Sequence, residues 1–153
     1  MKRPFLTWIL WLFLAILSIN GLVAGTMMLV SPDGSLLKMD PEWLQGSPFT
    51  SYLIPGLLLF FCIGVLPALA IIGMAFQPDW KWARSVNIYP ERNWGWTFSL
   101  CSGIGTIIWI IVQQFTTKYF ILQPVILTLA VCIIVLTLMP GTMRFFSGIS
   151  KNL

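Results

Sequence analysis

The segment from Pro48 to Phe76, PFTSYLIPGLLLFFCIGVLPALAIIGMAF, decides the fold of this chain because it contains no charged residue. An apolar segment of about 20 residues or more is typical of a helix that crosses a membrane. Two prolines, Pro55 and Pro67, lie inside it. The carbonyl groups that an interior proline frees need partners from neighbouring helices, hydroxyl groups or water. The segment therefore predicts a spanning helix that packs against other helices.

The composition of the whole chain places it in the same class. Of its 153 residues, 58% are hydrophobic and 9% are charged, whereas soluble domains carry about 25% charged residues. We therefore predict an integral membrane protein with an all-α fold. The chain has no histidine and no C-x-x-C pair, which argues against a metal site and a dithiol redox enzyme. No cofactor and no nucleic-acid partner are expected, since the net charge of +4 is spread over termini and loops.

Apolar and polar segments alternate along the chain, and this alternation predicts one domain, residues 1–153, built as a bundle of four transmembrane helices. The helices are expected over residues 5–30, 48–76, 94–114 and 120–139. The polar segments are expected to be the connections 31–47 and 77–93, a tight turn over 115–119 that holds Lys118, and a tail over 140–153. The pair Pro140-Gly141 is expected to end the fourth helix.

The distribution of basic residues predicts the orientation of the bundle. Seven of the nine lysines and arginines lie in the N-terminus, the connection 77–93 and the tail. Because cytoplasmic segments of membrane proteins are enriched in these residues, we expect both termini and residues 77–93 in the cytoplasm, and residues 31–47 outside. Tryptophans 80, 82, 94 and 96 flank the cytoplasmic connection and are expected at the headgroup level.

The connection 31–47 contains a signal for a short helix. Asp40 is placed as an N-cap, Pro41 as the first helical residue and Glu42 as an acid in the first turn. Such a helix would carry Trp43 and Leu44 on the membrane surface.

Small residues at helical spacing predict close helix packing at two places. Gly21 and Gly25 form a G-x-x-x-G motif in the first helix, which allows a second helix to approach closely. Ser99, Gly103 and Thr106 lie on one face of the third helix. We expect all five residues to serve helix packing.

The polar groups of the predicted spans are uncharged, which argues against a proton relay or acid–base chemistry in the middle of the membrane. In the predicted orientation, four amides fall toward the outer leaflet: Asn20, Gln113, Gln114 and Gln123. Two interpretations compete. The amides could hydrogen-bond between helices, at about 0.6–2 kcal/mol each. Alternatively, together with a bend at Pro55, they could line an outward-opening pocket for a lipid or other amphipathic molecule.

Several short motifs carry a resemblance to a known group of proteins. They are Trp94-Gly95-Trp96, Gly103-Ile104-Gly105, the segment from Trp109 to Gln113, Leu122-Gln123-Pro124, and Gly46-Ser47-Pro48-Phe49 followed by Pro55-Gly56. This pattern resembles small bacterial four-helix membrane proteins of unassigned activity. The resemblance implies a multi-pass protein of the bacterial cytoplasmic (inner) membrane, and it supplies neither a catalytic residue nor a substrate.

Three functional hypotheses follow. The first is a non-enzymatic membrane protein that binds a lipid, another amphipathic ligand or a partner membrane protein through its outer-leaflet half. The second is a small transporter or channel subunit acting as a homo-oligomer, in which Gly21 and Gly25 pack protomers together. The third, least favoured, is an enzyme that uses the outer carboxylates Asp33, Asp40 and Glu42, because turn and capping roles already explain these residues.

Overall fold

The computed structural model describes residues 4–116 and 121–149, and every regular element in these ranges is helical, which confirms the all-α fold. The elements in chain order are α1 (Phe5–Val30), two 3₁₀-helices (Ser35–Leu37 and Pro41–Leu44), α2 (Leu53–Leu58), a π-helical turn (Leu59–Val65), α3 (Leu66–Ala75), α4 (Lys81–Ser85), α5 (Trp94–Thr116), α6 (Leu122–Leu138) and α7 (Pro140–Ile149). The basic N-terminus, the turn around Lys118 and the end of the tail lie outside the described residues.

Three helices of the described chain are long and apolar enough to cross a membrane: Phe5–Val30, Leu53–Ala75 and Trp94–Phe115. Helices α6 and α7 meet the same criterion only together, and they are bent by 57° at the break between them. The described chain therefore provides three such helices, or four if α6 and α7 form one broken span.

The main hydrophobic core lies between these long helices. In α1, Leu10, Leu14 and Leu17 have no exposed surface, and they join a cluster that includes Met74 of α3 and Ile133 of α6. Every residue of this core comes from a helix face, as expected for a bundle whose helices pack through apolar stripes.

The second span begins later than the sequence predicts. Residues 48–52 turn back toward the preceding connection, because the Tyr52 N–H donates to the carbonyl of Pro32 at 2.8 Å. Helix α2 begins at Leu53, so Pro55 lies in its first turn, where backbone N–H groups have no intrahelical partner. Pro55 therefore breaks no helical hydrogen bond, and the interior position predicted for it is wrong.

A π-helical turn interrupts the second span further along. The N–H of Leu66 donates to the carbonyl of Phe61, five residues earlier. The next residue, Pro67, has no N–H to donate. From the neighbouring helix, the hydroxyl of Ser18 donates to the carbonyl of Gly64 at 2.7 Å. A neighbouring helix thus supplies a hydrogen bond beside the proline.

The G-x-x-x-G motif of α1 packs against this π-helical turn. A Cβ atom on Gly21 would lie 2.4 Å from the carbonyl carbon of Ile63, and one on Gly25 would lie 2.7 Å from the nitrogen of Phe60. Both glycines therefore let the two backbones touch within one chain. In this structure the face is covered by the chain's own π-helical turn, so it offers no free surface to a second protomer.

Helices α5 and α6 pack through the small residues that the sequence singles out. The hydroxyl oxygens of Ser99 and Thr137 lie 2.8 Å apart, and a Cβ atom on Gly103 would lie 2.5 Å from the side chain of Ile134. Thr106 is fully buried, but its hydroxyl donates to the carbonyl four residues earlier in its own helix. Ser99 and Gly103 thus lie in the α5–α6 contact, and Thr106 fills space without linking the two helices.

Two further predictions concern the other end of the bundle. Trp94 and Trp96 are only 4% and 2% exposed, so they belong to the core and not to an interfacial belt. Helix α6 ends at Leu138, which confirms the end predicted from Pro140-Gly141, but Pro140 is also the first residue of a further helix, α7, that the sequence interpretation did not include. This helix buries Phe145 and Phe146 against the bundle.

Candidate ligand-binding cavity

A cavity of about 620 Å³ lies among α1, α5, α6, the π-helical turn and the connection after α1. Its described wall consists of Ile16, Ile19, Asn20, Val23, Ala24, Met27 and Met28 from α1, Leu37, Met39 and Trp43 from the connection, Leu59 and Ile63 from the π-helical turn, Trp109, Ile110 and Gln113 from α5, and Leu122, Gln123 and Ile126 from α6.

The chemistry of this wall is apolar with a few amides. Of its eighteen described residues, three are polar, namely Asn20, Gln113 and Gln123, and none is charged. The volume lies within the range of about 300–1,000 Å³ that is usual for small-molecule pockets, which are mostly apolar with a few polar groups that orient the ligand. The described wall offers van der Waals contact and amide hydrogen bonds, and it holds no aspartate, glutamate, lysine or arginine.

The structure brings together most of the residues that the sequence proposes for ligand binding. Asn20, Gln113 and Gln123 lie in the wall of the same cavity. Gln114 does not line the cavity, but its Nε2 donates to Oε1 of Gln123 at 2.9 Å, linking α5 to α6. Pro55 is buried and does not line the cavity. Gln114 thus links helices and Asn20 lines the cavity, whereas Gln123 does both.

The π-helical turn contributes wall residues that the sequence interpretation missed. Leu59 and Ile63 line the cavity. The contact of Gly21 with Ile63 sets the distance between α1 and this turn. The sequence feature that could have indicated this π-helical turn is Pro67, two residues after it, because a proline interrupts the regular hydrogen-bond pattern of a helix. Such π-helical turns are frequent at functional sites.

The connection after α1 forms an ordered cap on the cavity. Met28, Leu44 and Tyr52 make a small buried cluster, and the Tyr52 hydroxyl donates to the carbonyl of Asp40 at 2.8 Å. A Cβ atom on Gly34 would meet the Tyr52 ring at 2.8 Å, and Gly34 has a φ of +82°, a conformation that favours glycine. These contacts hold the cap as a defined structure over one side of the cavity.

The predicted short helix in this cap is confirmed as a 3₁₀-helix over Pro41–Leu44, with the Asp40 carboxylate accepting from the Glu42 N–H at 2.9 Å. The expected surface position of its apolar residues is wrong. Leu44 is 6% exposed, and Trp43 lines the cavity. The helix thus faces the protein, because its apolar side closes the cavity.

The cap also contains a carboxylate held by local hydrogen bonds. Hydrogen bonds from the hydroxyl of Ser31, and from the backbone N–H and hydroxyl of Ser35, lower the pKa of Asp33 below its ordinary value of 3.8. Asp33 therefore orders the turn that begins the cap. Among the described residues, no group of three or more histidine, cysteine, aspartate or glutamate side chains is placed to hold a metal ion.

Comparison with known proteins adds no relative. No model of a known protein family matches the chain, and neither the curated proteins nor the solved structures contain a match.

Proposed function

We propose that this chain is a non-enzymatic integral protein of the bacterial cytoplasmic membrane that binds a lipid or other amphipathic ligand in the cavity. The observation that carries this proposal is an apolar cavity of about 620 Å³ whose only polar described wall residues are three amides. An uncharged, mostly apolar wall suits a ligand that is itself mostly hydrocarbon.

The proposed membrane position follows from the helices and the basic residues. The helices Phe5–Val30, Leu53–Ala75 and Trp94–Phe115 would cross the bilayer, with α6 as the fourth span. The excess of lysine and arginine in the two termini and the connection 77–93 favours a cytoplasmic location for these segments. The cap and the cavity would then lie in the outer-leaflet half.

An oligomeric transporter is the weaker alternative. It relied on the Gly21 and Gly25 face for protomer contact, and that face packs on the π-helical turn. The cavity favours a small ligand, and no comparable observation favours the binding of a partner membrane protein. The carboxylates of Asp33 and Asp40 accept local hydrogen bonds, which accounts for them without enzymatic chemistry.

The proposal is tested by native mass spectrometry of the protein extracted gently from its own membrane. We expect a defined adduct of lipid size, and we expect Gln113→Leu to reduce it because that amide lines the cavity. Gln45→Leu is the matched control, since Gln45 is an exposed amide outside the cavity wall. Thermal unfolding of both variants in detergent separates a binding role from a packing role.

Protein that carries no adduct, or an adduct that both glutamine variants retain equally, would overturn the proposed function. A loss of adduct in Gln113→Leu accompanied by a large drop in thermal stability would assign Gln113 to helix packing and count against its role in the pocket.

A further inference from the structure

One side of α1 is exposed along the whole helix, and we call it the outer face of α1. Between Phe5 and Val30, exposed side chains recur every three or four residues, which keeps them on one side of the helix. Most of them are apolar, among them Leu12, Ile16, Ile19 and Val23. The exposed polar residues of α1 are Asn20 and Thr26.

Asn20 lies near the middle of the membrane in the proposed position. It is ten residues before the end of α1 at Val30, which corresponds to about 15 Å along the helix, and the hydrocarbon core of a bilayer is about 30 Å thick. The next residue, Gly21, packs against Gly64, which is the middle residue of the span Leu53–Ala75. Asn20 therefore carries its amide at the depth of the lipid chains.

The amide of Asn20 has no hydrogen-bond partner among the described residues. Lipid chains offer neither a donor nor an acceptor at this depth, and the headgroups lie far beyond the reach of an asparagine side chain. An unpaired amide in hydrocarbon is unfavourable, whereas hydrogen bonds between amides of neighbouring helices stabilise helix association in a membrane. The outer face of α1 therefore requires a polar group from outside the described chain at the level of Asn20.

A second copy of the chain carries such a group at the matching depth. Both copies insert into the membrane in the same orientation, so a twofold axis along the membrane normal brings the same residue of each α1 together at equal depth. An asparagine amide both donates and accepts hydrogen bonds, so two Asn20 side chains can form two reciprocal hydrogen bonds. A partner of another sequence would need its own polar group at this position, whereas a second copy has one by symmetry.

We infer that two copies of this chain form a dimer through the outer faces of their α1 helices, with the two Asn20 amides hydrogen-bonded to each other. This contact uses a different side of α1 from Gly21 and Gly25, which pack within the chain. Ile16 and Ile19 are exposed and also line the cavity, so the second copy would cover part of the cavity that a single chain leaves open. The inference goes beyond the proposed function and does not depend on it.

The dimer is tested by sedimentation equilibrium in density-matched detergent micelles at several protein-to-detergent ratios. We expect a monomer–dimer equilibrium, and we expect Asn20→Leu to raise its dissociation constant about tenfold or more, as for the loss of two interhelical hydrogen bonds. Asn20→Gln keeps a carboxamide and should retain part of the affinity. Thr128→Val is the matched control, because Thr128 is an exposed polar residue of α6 whose hydroxyl donates within its own helix. This control should leave the dissociation constant unchanged.

The face that forms the contact is tested by disulfide cross-linking in the protein's own membrane, in a variant whose three cysteines are replaced with alanine. In this variant, Ile16→Cys and Val23→Cys each place a thiol on the outer face about one turn from Asn20. We expect both to give cross-linked dimers. Ile108→Cys is the control, because Ile108 is comparably exposed on α5 and should give none. Since these variants keep Asn20, they test the face even where Asn20→Leu fails to fold.

Several results would overturn the inference. They are a protein that is monomeric at every protein-to-detergent ratio, a dimer that Asn20→Leu leaves as tight as before, and equal cross-linking from Ile108→Cys and Val23→Cys. A monomer that loses a lipid-sized adduct in Asn20→Leu would also overturn it and would assign the amide to the ligand of the cavity. A dimer that is weakened by Asn20→Leu but carries no adduct would support the inference, while the proposed function would fail.

Discussion

Replacing Gly21 with alanine is expected to destabilise the bundle by about 2–4 kcal/mol. The new Cβ atom would lie 2.4 Å from the carbonyl carbon of Ile63 and 2.5 Å from the nitrogen of Gly64, whereas carbon atoms in contact lie about 3.5–4.0 Å apart. Both neighbours are backbone atoms, so the helices must separate by roughly 1 Å, an overpacking that costs about 1–3 kcal/mol. The separation also weakens the hydrogen bond from Ser18 to Gly64, 2.7 Å long, which is worth about 1 kcal/mol.

The measurement is unfolding in mixed micelles of increasing denaturing detergent, followed by tryptophan fluorescence and far-UV circular dichroism. Gly105→Ala is the matched control, because a Cβ atom there meets no atom within 4 Å. Alanine is the better helix former by about 1 kcal/mol, so this variant should be as stable as the unmodified protein or more stable. If Gly21→Ala were no less stable than Gly105→Ala but changed the oligomeric state, the intramolecular contact deduced for Gly21 would be refuted.

Two further predictions concern the α5–α6 contact and the cap. Thr137→Val leaves the buried hydroxyl of Ser99 without its partner in α6 and should lower the free energy of unfolding by about 1–3 kcal/mol. Thr128→Val is the control, because Thr128 is exposed and its hydroxyl donates within its own helix. This variant should change the free energy of unfolding little when both variants are unfolded in mixed micelles. The pKa of Asp33 is lowered, so its ionised form stabilises the folded cap above the ordinary pKa, and this contribution is lost as the pH falls through the lower folded value. An NMR titration of the Asp33 carboxyl carbon should show a midpoint below 3.8 that rises in Ser31→Ala, and an unchanged midpoint would contradict the hydrogen bond.

The sequence predicts a helix and its packing face best where residues close together in the chain determine them. The run from Phe5 to Val30 contains no charged residue, which predicts α1 with its observed bounds, and the spacing of Ser99 and Gly103 predicts that they share one face of α5. The convergence of Asn20 and Gln113 in one cavity also follows from helix positions, because both fall toward the same end of the bundle.

The sequence predicts poorly where distant residues decide the local structure. The start of α2 depends on Tyr52, which bonds to backbone carbonyls in the preceding connection. Trp94 and Trp96 are typical interfacial residues by type, yet their indole N–H groups donate to carbonyls of Pro78 and Thr137 inside the protein. The residue types alone predict neither the hydrogen bonds of Tyr52 nor those of the two indole groups.

Proline was the least reliable signal, because its meaning depends on its position in a helix. Pro140 follows α6 and suggests an end, but it also suits the first position of a new helix, and α7 begins there. The cavity wall contributed by Leu59 and Ile63 was missed for a related reason. The π-helical turn forms beside Pro67, and the hydroxyl of Ser18 in α1 donates to one of its carbonyl groups. Because this contact involves two helices, the sequence of the second span alone does not predict it.

The π-helical turn also sets the rotational phase of the second span. A bond pattern of i→i+5 takes up one residue more than an α-helical turn, and one residue corresponds to a rotation of about 100° around the helix axis. With this offset, Gly56 of α2 faces Met28 of α1, while Gly73 of α3 faces Gly95 of α5. Winding all of Leu59–Val65 as a regular α-helix would turn the two halves by about 100° relative to each other, so the two glycine contacts could not form together, whereas deleting one residue from this segment would allow a continuous α-helix that keeps both contacts. The span thus consists of two half-helices with different neighbours. The π-helical turn between them lets α2 pack against α1 while α3 packs against α5.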